Sequence, residues 1–264
     1  MCWLYEDEAS WREAAAVYLE EGARAGDQLL YIADKTRNEL LNDLTGVASR
    51  NAMLTSGQLR VHPVAAVEGS TATFDPAGQA ETFSREARAA VQAGYRGLRL
   101  AVEGTALASG QAGAHRFAGY ELTVDGMLAS SPLSALCGYD ERRVGDEAAA
   151  LCCVHPLRHA TGVAALCSFY IDNGCWRLTG EVDMAVEPAL RTALDAAAEL
   201  SAGKLAIDLT GLDFIDIRGA QALVDLAQRL APDRRLVLHH PPHLLTRLLE
   251  IGWGPVAGLE MTSS

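Results

Sequence analysis

Short apolar runs alternating with helical stretches constrain this chain more than any other feature. "QLLYIAD" (28–34), "LRVHPV" (59–64), "LRLAVEG" (98–104) and "LSALCGYD" (133–140) each have strand length. The segments between them, among them "KTRNELLNDLTG", "SREARAAVQAGYRG" and "HRFAGYELTVDGML", carry helical periodicity. A helix between successive strands is the connection that parallel pairing requires, so the alternation predicts an α/β fold with a mostly parallel sheet covered by helices on both faces. The first helix is expected in "SWREAAAVYLEEGARAGD", with Ser10 as N-cap and Glu13 completing a capping box. Trp11, Ala14, Ala15, Tyr18 and Leu19 then share one face.

The pattern changes after "EAAALCCVHPLRHATG". "AALCSFYID" and "CWRLTGEVDM" read as two strands joined at Asn173-Gly174, a dipeptide suited to a tight hairpin. A helix follows with Pro188 in its first turn, where a missing amide donor costs nothing. "KLAIDLTGLDFID" is expected as one buried strand with an extension, then a helix, the strand "RRLVLHH" and a last helix. The change sets a boundary between His155 and Gly162 and divides the chain into domains 1–158 and 162–264. A length of 264 residues accommodates two domains of roughly 100 to 150 residues each.

The formal net charge is −12, with 14 Lys and Arg against 21 Asp and Glu up to Ala160, and 8 against 13 beyond it. Neither half offers the basic face that phosphate backbones require, so no direct nucleic-acid partner is expected. No apolar run approaches the roughly 20 residues that span a bilayer. The opening residues "MCWLYEDEAS" are acidic, so a cytoplasmic protein without membrane contact is expected. The six cysteines have neither the density nor the spacing of a secreted disulfide framework and read as reduced thiols, mostly core.

The glycines carry no phosphate-cradling motif. There is no GxxxxGK[ST] and no GxGxxG after a strand, and the loop after the first strand holds no glycine. "CCVHPLRH" gathers Cys152, Cys153, His155 and His159, but Pro156 interrupts the spacing of the two histidines, and adjacent cysteines do not easily ligate one ion. Core thiols with a His-Pro stop are the plainer reading, as a solvated turn is for "HHPPH" (239–243). No catalytic residue, metal or cofactor is assigned. A ligand pocket, where one exists, belongs at the carboxyl ends of the parallel strands, which places Tyr5, Glu6, Asp7, Cys137, Tyr139 and Asp140 there.

Two resemblances sharpen this reading. "LTGEVDMAVEPALRTAL" followed by "KLAIDLTGLDFIDIRGAQALVDL" resembles the STAS domain (sulphate transporter and anti-sigma-factor antagonist) over roughly Ala164 to Ser264. The resemblance implies a small α/β domain with a mixed sheet that docks a protein partner, typically an anti-sigma factor or kinase, through Asp183 and the turn Asp216-Ile217-Arg218-Gly219. "CWLYEDEASWREAAAVYLEEGARAGDQLLYIAD" and "LSALCGYDERRVGDEAAALCCVHP" resemble the MEDS domain (methanogen/methylotroph, DcmR-type sensory) over roughly Met1 to Pro156. That resemblance implies a RecA-like α/β sensory domain without catalytic phosphate motifs, with a small organic molecule as ligand.

Antagonist-type STAS domains carry a phosphorylated serine immediately before the turn glycine, where this chain has Arg218. A phosphoserine there would carry about −1.5 to −2 charges, whereas Arg218 carries a positive charge at the positive end of a helix dipole. The expectation is therefore a non-enzymatic signalling adaptor whose STAS domain binds a transcription regulator without that phosphoswitch. A nucleotide- or thiol-dependent enzyme in the first domain and a structural module forming homo-oligomers are the alternatives. Ligand titration separates them.

Overall fold

The computed structural model describes residues 1–64, 76–109, 113–128, 131–160, 166–172, 174–230 and 232–262. The chain divides into two compact units. The first comprises Met1–Ala112, Ser130–Gly145 and Leu157–Thr161, and the second Gly113–Ala129, Asp146–Pro156 and Gly162–Ser264. The division read from the sequence follows the chain; the packing interleaves it.

In the first unit, β1 (Cys2–Tyr5), β2 (Gln28–Ala33), β3 (Leu59–Pro63), β4 (Leu98–Glu103), β5 (Leu133–Asp140) and β6 (Arg158–His159) form one sheet in the order β3-β2-β4-β5-β1-β6. Every pairing in it is parallel. The first strand thus lies between the last two. The connections hold α1 (Glu8–Ala25), α2 (Arg37–Asp43), α3 (Arg50–Ser56), α4 (Pro76–Gln92) and α5 (Thr105–Ala108).

Helix α1 begins earlier than the capping-box pattern predicts. Asp7, not Ser10, is its N-cap and accepts the Ser10 amide (2.9 Å). The capping box occurs instead at α2, between Thr36 and Glu39. Only part of the predicted α1 face enters the core: Trp11, Ala15 and Leu19 are buried, while Ala14 and Tyr18 are half-buried. The Trp11 ring takes the space over β5 that a side chain at Gly138 would need, since a Cβ there would sit 2.5 Å from it. Its indole NH donates to the Tyr31 hydroxyl (3.2 Å), which donates to the buried Asp43 carboxylate (3.2 Å). Lys35 and Arg12, each 2.9 Å from Asp43, balance that buried charge.

In the second unit, β7 (Cys167–Asp172) and β8 (Cys175–Val182) pair antiparallel, Asp172 opposite Cys175, as a hairpin requires. Asn173 lies outside the described residues. The predicted single strand over 204–216 is two, β9 (Lys204–Asp208) and β10 (Leu212–Ile215). Asp208 accepts both the backbone amide (2.9 Å) and the hydroxyl (2.6 Å) of Thr210, which turns the chain between them. With β11 (Arg235–His239) and β12 (Leu259–Thr262) the order is β10-β8-β9-β11-β12, parallel along that path, so the sheet is mixed. The sequence pattern did not signal β12.

Helix α6 (Gly113–Leu128), of which the side chains from Phe117 onward are described, belongs to this second unit. So does α8 (Ala148–Cys153), while the short α7 (Glu141–Val144) stays with the first. Helix α9 (Glu187–Leu200) packs against α6, α8 and α10 (Ile217–Arg229). Its alanines 189, 193, 196, 197 and 198 let neighbouring backbones come close, and Ala196 lies 3.8 Å from where a Cβ would stand on Gly119 of α6. Pro188 does sit in its first turn. Helix α11 (His243–Gly252) completes the unit.

Candidate functional site

Strands β8 and β10 run parallel with Val182 opposite Ile215, and the Asp216 amide donates to the Val182 carbonyl (2.9 Å). Asp183 and Asp216 therefore leave the sheet at adjacent strand ends. Asp183 Oδ1 accepts the amides of Ala185 (2.9 Å) and Val186 (3.2 Å). Asp216 Oδ1 accepts those of Arg218 (2.8 Å) and Gly219 (2.9 Å) and is the N-cap of α10. The cap contributes about 1 kcal/mol, whereas a cation in the first turn of a helix costs a few tenths. Capping wins, and Arg218 is tolerated.

Gly219 is fixed by close approach. A Cβ there would lie 2.5 Å from Val182 Cγ1 and 2.7 Å from Ile215 Cγ1, so the first turn of α10 can rest on the strand ends only without a side chain. What remains facing outward is Met184, Ile217 and Phe214, respectively 71%, 50% and 41% exposed, together with Arg218. Among the described residues the Arg218 guanidinium has no ion-pair partner; Asp216 holds its backbone amide instead. Sequence reading found the turn but not Met184 or Phe214. Phe214 follows a register shift of β10 against β8 between Leu212 and Phe214, which the sequence pattern does not signal.

The strand ends of the first unit are closed differently. Tyr5 and Asp140 are register partners. The Tyr5 hydroxyl donates to Glu103 Oε1 (2.9 Å), which also accepts the amide (3.1 Å) and the hydroxyl of Thr105. Thr105 Oγ1 in turn accepts the Asp140 amide (2.8 Å). Arg142 grips both oxygens of the Asp140 carboxylate at 3.0 and 2.9 Å. These hydrogen bonds from Arg142 hold Asp140 below the usual carboxylate range, while burial first and the Glu103 charge second push the Tyr5 phenol up.

Of the six residues assigned to a ligand pocket, the structure brings Tyr5 and Asp140 into this buried network. Glu6 and Asp7 lie exposed in the turn after β1, Asp7 engaged as the α1 cap, and Tyr139 is buried with its ring beside Gly104. Cys137 is half-buried on β5. Glu103 and Thr105 escaped the reading; the signal was an acid ending the apolar run "LRLAVEG".

The residues of "CCVHPLRH" part ways. Cys153 Sγ lies 3.6 Å from Cys167 Sγ in the second unit, and His155 is held there between the Leu151 carbonyl (2.7 Å) and Glu121 (3.2 Å). His159 belongs to the first unit and stacks on Trp3 at 3.9 Å between ring centroids. In "HHPPH", His239 meets the Thr262 hydroxyl at 2.6 Å and His240 meets Asp208 at 3.3 Å.

Two family models match the chain. The first, described as MEDS: MEthanogen/methylotroph, DcmR Sensory domain, matches residues 1–156. The second, described as Mlab, STAS domain, matches residues 173–253. No curated protein matches the chain, and no solved structure does.

Proposed function

Since the chain belongs to the MEDS family of sensory domains and continues into a STAS domain, we propose that it is a non-enzymatic signalling adaptor. In this reading residues 1–158 sense, and residues 162–264 dock a protein regulator of transcription of the anti-sigma type. Both families are sensory or regulatory, and no helix among the described residues is long and apolar enough to cross a membrane.

The observation that carries the docking half is the outward face of the turn. Asp216 caps α10 and Asp183 accepts the amides of the turn before α9, so three large apolar side chains and one cation without an ion-pair partner among the described residues are left for another molecule. Contiguous exposed apolar patches mark interaction surfaces. Arg218 takes the place where an antagonist-type domain carries its phosphorylated serine, so control passes to the sensory region.

The test is co-purification of the full chain with anti-sigma factors and kinases from its own cell, with and without ATP. Wild type should capture a partner and Ile217→Asp should not, while mass spectrometry should find segment 213–223 unmodified after ATP. Absence of any partner that depends on Ile217 sinks the docking reading, and phosphate within 213–223 overturns the role given to Arg218.

A further inference from the structure

A cavity of about 500 Å³ lies within the first unit, away from the strand ends where sequence reasoning placed a pocket. One of its walls is a single stripe of α1. Ser10, Glu13, Ala14, Val17, Tyr18 and Glu21 all line it, and their spacing of three and four residues puts them on one helical face. This stripe is separate from the core-facing one of Trp11, Ala15 and Leu19. The stripe is mixed: Glu13, Val17 and Glu21 are exposed, while Ala14 and Tyr18 are half-buried. The mixture is what a binding wall requires.

The opposite wall is Trp3, Leu136 and His159. Trp3 is held flat against His159, the two rings 17° apart, and its indole nitrogen is buried without a hydrogen-bond partner among the described residues. Met1 also lines the cavity, its amino nitrogen donating to the Ala135 carbonyl (2.9 Å). The charges are unequal. Glu13 has no ion-pair partner among the described residues. Glu21 reaches Arg99 only at 3.9 Å, while Arg99 sits closer to Asp27 (3.1 Å) and lies over the Tyr18 ring at 4.7 Å from its centroid. Burial pushes the Tyr18 phenol up to about 12, so it stays neutral beside those carboxylates.

We propose that this cavity binds a small organic cation, a protonated or quaternary amine with an apolar body, between the aromatic wall of Trp3 and the carboxylates of Glu13 and Glu21. The face of an aromatic ring attracts a cation, carboxylates complete its neutralisation, and the apolar lining excludes water from the rest of the ligand. An anion would face two glutamates against the single ammonium of Met1, which the Ala135 carbonyl already holds. The proposal rests on the sensory reading above and gives that reading its ligand class.

The test uses the full chain and three probes of one shape: choline, its uncharged isostere 3,3-dimethyl-1-butanol, and the anion 3,3-dimethylbutanoate. Binding is followed by calorimetry and tryptophan fluorescence. Choline should bind about tenfold or more tighter than the alcohol, with no binding of the anion. Glu13→Gln, at an exposed position with no fold to disturb, should reduce choline affinity about fivefold and leave the alcohol unchanged. Trp3→Leu should abolish choline binding in protein whose circular dichroism is unaltered. Equal affinity for choline and the alcohol, preference for the anion, or no binding of choline at millimolar concentration overturns the site. Choline bound with partner capture unchanged leaves the site standing and overturns the sensory reading instead.

Discussion

At the carboxyl ends of β1, β4 and β5 the acids Glu103 and Asp140 accept side-chain donors from Tyr5, Thr105 and Arg142 as well as a backbone amide each, whereas Asp183 and Asp216 at the ends of β8 and β10 accept, among the described residues, backbone amides alone. Both regions put acids at strand ends. The difference lies in what each acid accepts. At the first end Tyr5, Glu103, Thr105 and Asp140 are buried, and the charged residues Glu6, Asp7, Arg142 and Arg143 are exposed beside them. Acids bonded to backbone amides organise the second end while freeing its neighbours, so Met184, Phe214, Ile217 and Arg218 face outward. The first strand ends are buried, and the second leave apolar side chains exposed.

The largest expected effect tests whether the second region stands without the helices that come from the first half of the chain. A fragment of residues 162–264 lacks α6 and α8 and therefore loses Ala118, Leu122, Cys153 and Val154 from the core around α9. Each large apolar side chain removed withdraws about 1.5 to 3 kcal/mol of burial, and the loss approaches the roughly 5 to 15 kcal/mol that hold a whole domain. The fragment should fail to give a cooperative unfolding transition, and residues 113–156 supplied with it should restore one. A fully cooperative fragment would separate the docking turn from those helices and make the second region self-sufficient.

A smaller effect separates the two kinds of strand end by pH. The folded pKa of Asp140 is depressed by Arg142, so its contribution is complete above the unfolded carboxylate value of about 3.9 and is lost as pH falls through the folded value. Asp140→Asn should cost about 1 kcal/mol at pH 7, because Arg142 is largely exposed and its pairing is weakened by water. As pH falls from about 3.9 through the lower folded value, the gap between variant and wild type in urea unfolding should close. A gap that persists into acid would mean that the carboxylate charge is not what Arg142 holds.

How much of this was legible depended on range. The strands of the first sheet, the hairpin partners and Pro188 at the start of α9 follow from periodicity and turn chemistry, which are local. The cap of α1 was misplaced because Ser10 and Glu13 satisfy a pattern that Asp7, three residues earlier, satisfies in space. The split of β9 from β10 depends on Asp208 turning the chain at Thr210, and β10 then pairs with β8 and not with β9. The buried Glu103 network and the packing of α6 on α9 join residues far apart in sequence, which no window reads. The cavity stripe on α1 was present at helical spacing, but the apolar face read from the sequence took in Ala14 and Tyr18, which line the cavity and are half-buried.

The smallest expected effect on stability falls on the residue that most distinguishes the second region. Arg218→Ser removes an exposed cation with no ion-pair partner among the described residues and leaves the Asp216 cap on the same two amides. Its stability should change by no more than about 0.5 kcal/mol, as for most exposed substitutions away from structural features. Partner capture should change far more than stability does. The variant places a hydroxyl at the start of α10, so an anti-sigma kinase with ATP should phosphorylate that hydroxyl and release the complex, whereas wild type stays bound. A variant that binds like wild type and takes no phosphate would show that the turn is recognised only through Met184, Phe214 and Ile217. The comparison would then rest on exposed apolar surface alone, with charge at the helix start playing no part.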